Sequence, residues 1–271
     1  MSITFRAEKL NEHIDTIVSQ ISQQRVLLAG EDHIQPAILD MQLELIKGLY
    51  KNNPNLVIGL EMFNTEQQAL LDDYLDGHIS LSILEEKYST SAEGFPIPHY
   101  GKILMLAKKL DIPIKGLIIP RTIAAKVVRS GLSVLEEEDC FLKPKEVIQG
   151  NNDYKTIFSA LINSSAPMMK TGFNIDRFFL AQVVKDSAMA KSIVEVLTDN
   201  TESWVIAIMG KGHMEYGFGV TERIPIYLKK KRINIDPVTL TVRDLSEPVT
   251  KIDKLAGRPP AKYIALYTRL E

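Results

Sequence analysis

Cysteine is almost absent from this chain: Cys140 is the only one in 271 residues. No intrachain disulfide can form, so the fold has to rest on its core and its hydrogen bonds. Long apolar runs are missing as well. Nothing approaches the roughly 20 consecutive apolar residues of a membrane-spanning helix. The opening MSITFRAEKLNEHIDTIVSQISQQ carries charges and glutamines where a secretory signal would be apolar. As written, the chain is expected in the cytoplasm, while a trimmed signal would fit the periplasm or a membrane anchor equally well. Excess charge of one sign is the third absence. With 32 Lys and Arg against 34 Asp and Glu the net charge is −2, so no global positive field is available to hold nucleic acid or an anionic membrane. The one basic run, Lys229 to Arg232, lies between strand-like stretches and reads as a solvated turn.

Several catalytic signatures are absent too. No serine sits in a G-x-S-x-G elbow, and Cys140 closes the acidic run LEEEDC, whose charge disfavours a thiolate. Nucleophilic catalysis by Ser or Cys is therefore not expected. The stretch Gly210, Lys211, Gly212, His213 has neither the G-x-G-x-x-G nor the Walker spacing, and no nucleotide is implied.

The 45% of apolar residues is enough for one large domain or two modest ones. Short runs apolar on both faces (RVLLAG, NLVIGLEMF, IKGLIIP and WVIAIMG) alternate with amphipathic helical patterns, the first from about Ala7 to Gln23 and the next opening at Pro36. This is the pattern of an α/β fold: a mainly parallel central sheet flanked by helices. Between Arg121 and Asn200 only helical segments are expected, at Thr122 to Ser130, Asp153 to Ile162 and NIDRFFLAQVVKDSAMAKSIVEVLTDN. Residues 121–200 are accordingly read as a small helical insertion subdomain, and residues 1–120 with 201–271 as the sheet domain. IPIYL, PVTLTVRDL and KYIALYTRL are read as strands extending one edge.

In open α/β sheets, ligands bind beyond the carboxyl ends of the strands, where loops vary and helix N-termini point inward. Each of the four strands delivers an ionisable residue there: Glu31, Asp32 and His33; Glu61; Arg121; and His213. Each has a structural alternative. Asp32 reads as the N-cap of the helix near Pro36, Glu61 as half of a buried ion pair with Arg121, and either histidine as a hydrogen-bonded core residue. Taken together, Glu31, His33, Glu61 and His213 could act as a general acid–base set hydrolysing an ester or amide, with Arg121 holding an anionic group. His33, Glu61 and His213 could equally ligate a divalent metal. The spacing does not match the metalloprotease H-E-x-x-H, because Glu31 and His33 are two apart in a loop.

LLAGEDH, IGLEMF with QQALLDDYLDG, PRTIAAKVVRSGL, FFLAQVVKDSAMA and IMGKGHMEYGFGV occur in that order over roughly residues 25 to 225. In these stretches the chain resembles the ChaN-like haem-binding uptake family, part of the superfamily that also holds the Tiki metalloproteases and the erythromycin esterases. The superfamily pattern of a Gly-Glu-x-His turn, a Glu after the next strand and a late Gly-x-Gly-His falls on Glu31, His33, Glu61 and His213. The resemblance implies an α/β domain with a small helical subdomain, haem held at a homodimer interface, and a tyrosine as iron ligand. The nearest match for that tyrosine is Tyr216, with His213 beside it. His99 and Tyr100, in FPIPHYGK, form a second His–Tyr pair that could line the same crevice. The expected ligand is thus a small molecule, haem, with hydrolysis in the same crevice as the alternative.

Overall fold

The computed structural model describes residues 2–138, 140–165 and 174–269. Its centre is a seven-stranded sheet made of β1 (Ile3–Arg6), β2 (Val26–Glu31), β3 (Leu56–Asn64), β4 (Ile114–Ile118), β5 (Trp204–Gly210), β6 (Val238–Asp244) and β7 (Tyr263–Tyr267). The strand order is β1-β7-β6-β2-β5-β3-β4, and every pairing is parallel. All carboxyl ends therefore emerge on one edge, which fixes where a site can form.

The apolar runs explain why these segments are strands. In β2, Leu27 and Ala29 join one core while Val26 and Leu28 join the core on the opposite face. This period of two, apolar in both phases, is what a sheet covered on both sides requires. The first face is covered by α1 (Ile14–Gln24), α2 (Pro36–Asn52), α3 (Gln68–Leu75), α4 (Leu81–Ser89) and α5 (Ile97–Leu110). The second is covered by the C-terminal half of α9 (Ile175–Asp199) and by α10 (Val220–Lys229). A third core gathers α6 (Arg121–Ser130), α7 (Val134–Glu137) and α8 (Asn152–Ser165) around the N-terminal half of α9. The helices between Arg121 and Asp199 thus share α9 with the sheet, through Met189, Ile193 and Leu197. A short α11 (Lys251–Ala256) completes the chain's helices among the described residues.

Three sequence expectations are corrected. The first helical stretch is split, with a 3-10 turn at Ala7–Glu12 before α1, and ITFR ahead of it forms the edge strand β1. Of its four residues only Phe5 is buried, so no apolar run announces it. IPIYL belongs to helix α10, because Val220, Ile224, Tyr227 and Leu228 recur at helical spacing on its buried face despite Pro225. Asp32 does not cap α2. That helix starts at Pro36 after Gln35 with no side-chain cap, and Asp32 instead accepts hydrogen bonds from Lys211 (2.8 Å) and Tyr267 (2.9 Å).

Candidate functional site

Three adjacent strands build the site. β2 ends in Glu31 and leads to His33, β5 lies beside it with Glu31 opposite Gly210, and β3, on the other side of β5, carries Glu61. The Gly210 N–H donates to Glu61 Oε2 at 2.6 Å. A Cβ on Gly210 would stand 2.9 Å from His33 Nε2 and 3.5 Å from Glu61 Oε2. A side chain at 210 would therefore press on the His33 ring, and glycine leaves the end of β5 free to run between the histidine and the carboxylate.

The site has two halves. In the first, the buried Glu31 carboxylate accepts from His33 Nδ1 (2.7 Å), the Tyr100 hydroxyl (2.6 Å) and Gln42 Nε2 (2.5 Å). A carboxylate facing Nδ1 makes that nitrogen the donor, so Nε2 is the nitrogen left for chemistry. The His33 side chain keeps 35% of its exposure, against 2% for Glu31. Burial pulls the His33 imidazole down, but the Glu31 hydrogen bond and the Glu61 charge outweigh it, and its pKa is raised. In the second half, His213 is held at both nitrogens: Nδ1 lies 2.6 Å from Asp186 Oδ1 and Nε2 lies 3.3 Å from Glu61 Oε1. The Gln182 amide nitrogen is 2.9 Å from the same Nδ1, and the Tyr154 hydroxyl donates to Asp186 Oδ2 at 2.7 Å.

Burial alone would lower the His213 pKa, but the Glu61 charge and the Asp186 and Glu61 hydrogen bonds push it up to about 9. Burial alone would likewise raise that of Glu61, but the His213 charge and hydrogen bond, the His33 charge and the Gly210 N–H hold it near 2. At neutral pH the second half is therefore an imidazolium–carboxylate pair. His213 is a fixed cation that positions Glu61, while His33 is the titratable, accessible member.

The structure thus brings Glu31, His33, Glu61, His213 and Tyr100 together. His99 sits beside them, its ring 5.0 Å from that of Tyr100 and half-exposed, with burial lowering its pKa. Two residues go elsewhere. Arg121 makes no pair with Glu61; its backbone N–H donates to Glu93 Oε1 (3.1 Å) and its Nη1 to the Glu93 carbonyl (3.2 Å). The Tyr216 hydroxyl donates to Asp253 Oδ1 (2.8 Å) and accepts from Arg243 Nη2 (3.2 Å). Burial and the neighbouring Glu215 charge raise its pKa, which disfavours the phenolate an iron ligand needs. Tyr216 itself sits in a left-handed turn, at φ +58.

The metal set His33, Glu61 and His213 fares no better. Among the described residues no group of three or more His, Cys, Asp or Glu is arranged to hold a metal ion. A metal on His213 would have to displace Asp186 or Glu61 and remove a proton. Sequence reasoning passed over Asp186, Gln182, Tyr154 and Gln42. Asp186 had a signal: it falls on the apolar stripe of α9, between Val183 and Ala190, where a charge needs a buried partner.

Comparison with known proteins adds the family. The family described as "Haem-binding uptake, Tiki superfamily, ChaN" matches residues 17–224. Among solved structures, ChaN of Campylobacter jejuni, described for cofacial haem binding, superposes with a TM-score of 0.68 at 17% identity, over 92% of this chain and 90% of that one. An erythromycin esterase mutant in its open conformation gives 0.52 at 16%, covering 87% and 74%. The type III effector HopBA1 gives 0.51 at 11%, covering 95% and 94%. At such identities the likeness is one of fold. No curated relative matches the sequence.

Proposed function

Because the chain belongs to the ChaN family of haem-binding uptake proteins in the Tiki superfamily, we propose that it binds haem at the carboxyl-end crevice, with imidazole and not phenolate as the protein's ligand. Bound haem would supply a ferric centre able to take a nitrogen or oxygen donor from the protein, and His99 is the residue that would hold it. Both candidate tyrosines have their hydroxyls held by carboxylates, Tyr216 by Asp253 and Tyr100 by Glu31, and both have raised pKa values from burial and nearby negative charge. The observation that carries the reading is His99: half-exposed, with its ring 5.0 Å from that of Tyr100 and near enough to Glu31 and His33 to feel their charges, it has its pKa lowered by burial and so offers an uncharged imidazole at neutral pH. Apolar surface adjoins the crevice. Ile34, next to His33, is 52% exposed and held at φ +66, and the Phe95 ring stands 5.2 Å from that of His33. Such a rim suits the face of a porphyrin.

Titration with hemin tests this. The wild type is expected to give a saturable Soret shift, with affinity at least tenfold weaker in His99→Ala. An unshifted Soret band, or equal affinity in the variant, would overturn it.

A second reading, hydrolysis of an ester, is favoured by one specific arrangement. Glu31 orients His33 through Nδ1, leaving Nε2 on the Glu61 side of the crevice, as a general base requires. His33 Nε2 would take a proton from water as the water oxygen bonds to the ester carbonyl carbon, and the imidazolium would return that proton to the alkoxide as the C–O bond breaks, while the Glu61–His213 pair fixes the opposite wall. A panel of aryl esters is expected to show turnover that falls about a hundredfold in His33→Ala, a typical general-base contribution. Turnover unchanged in that variant would remove this reading and leave the haem reading intact.

A further inference from the structure

A groove between α6, α8 and α9 lies outside the crevice. Its volume is about 410 Å3, toward the lower end of small-molecule sites. Phe158 and Phe178 contribute aromatic wall, and its charged lining residues are Arg121, Arg129 and Lys185, with no Asp or Glu among the described ones. In a chain of net charge −2 this is a local excess of cations. The Arg121 guanidinium donates to the Glu93 backbone carbonyl at 3.2 Å. Arg129 and Lys185 have no hydrogen bond or ion pair among the described residues, and Lys185 is half-buried. A cation partly withdrawn from water without a counter-charge costs free energy that a bound anion would offset. Gln182, which lines the groove, is its contact with the crevice network, its amide nitrogen lying 2.9 Å from His213 Nδ1.

We propose that this groove binds an amphiphilic carboxylate, its charge met by Arg129 and Lys185 and its alkyl or aromatic body lying along Phe158 and Phe178. This chemistry is shared by fatty acids and by the propionate edge of a porphyrin, and the site needs no iron ligand.

Calorimetric titration of the full chain with decanoate and with 1-decanol tests it. Decanoate is expected to bind at one site, at least tenfold tighter than decanol. Lys185→Gln combined with Arg129→Gln should weaken it at least tenfold. Lys126→Gln, which removes a cation of α6 that pairs with Glu138 and does not line the groove, should leave it within twofold. Ala125→Trp, which fills the groove from an exposed position with its charges intact, should abolish binding. Competition by metal-free protoporphyrin IX identifies a porphyrin carboxylate as the fitting source, and absence of competition an acyl one. Equal affinity for decanol, or decanoate affinity unchanged in the double variant or in Ala125→Trp, would overturn the proposal.

Discussion

Two buried charge networks stand on this sheet, and they differ in one respect. Around β6, Arg243 is surrounded by Glu215, Asp253, the Tyr216 hydroxyl and its own Val242 carbonyl. The Glu215 carboxylate also accepts from Thr241 at 2.5 Å, and the Asp253 carboxylate accepts from the backbone N–H of Thr250, the N-cap of α11, at 2.7 Å. This network closes on itself, as a structural pin does. The crevice network closes only on the His213 side. On the Glu31 side the carboxylate is saturated by three donors, yet His33 keeps a free Nε2 and a third of its surface. A buried charge cluster points to function where it leaves a valence open.

Substitutions can break or sharpen this contrast. Arg243→Ala should have the largest effect on folding, about 3–5 kcal/mol in denaturant unfolding, because it strands Glu215 in the core. Hemin affinity of the folded fraction should be unchanged; a selective loss would mean that the β6 network is part of the site. Glu61→Gln should cost about 1–3 kcal/mol and alter the pH dependence. The His213 pKa is raised from its usual 6.5 to about 9. Its stabilising contribution is therefore complete below 6.5 and lost as pH rises through about 9. The pKa of Glu61 is lowered from 4.5 to about 2, so its contribution is present above 4.5 and lost as pH falls through about 2. Melting temperature measured from pH 5 to 10 should fall in the wild type between 6.5 and 9, and fall less in Glu61→Gln. Parallel curves would contradict the pair. Tyr216→Phe should cost about 1 kcal/mol, the value of one hydrogen bond. His33→Ala should cost least, about 1 kcal/mol or less, since Glu31 keeps Tyr100 and Gln42 as donors. A larger loss in calorimetric melting would make His33 a structural residue after all.

How much of this was legible in the sequence depends on what each segment buries. β2, β3, β4 and β5 bury both faces and show as apolar runs, so the parallel sheet and the edge where its carboxyl ends emerge could be read directly. β1 buries one residue and α10 hides its period behind Pro225, so neither showed its type. In the site, strand-end residues were visible because strand direction fixes where they emerge. Partners that arrive from helices, Asp186, Gln182, Tyr154 and Gln42, depend on tertiary packing that spacing does not encode. Tyr216 differs for the opposite reason: it is three residues from His213, but its hydroxyl is bound by Asp253 and Arg243 of the β6 network. Arg121 follows its strand as expected, yet Glu93 in the preceding loop claims it before Glu61 can.

We propose the open crevice, and not the closed β6 network, as the place that holds the ligand. The most direct test is the ferric haem spectrum of His99→Ala set beside that of Tyr216→Phe, at matched folded fraction. The wild-type Soret spectrum is expected to persist in Tyr216→Phe and to shift or disappear in His99→Ala. A spectrum lost in Tyr216→Phe and kept in His99→Ala would contradict it.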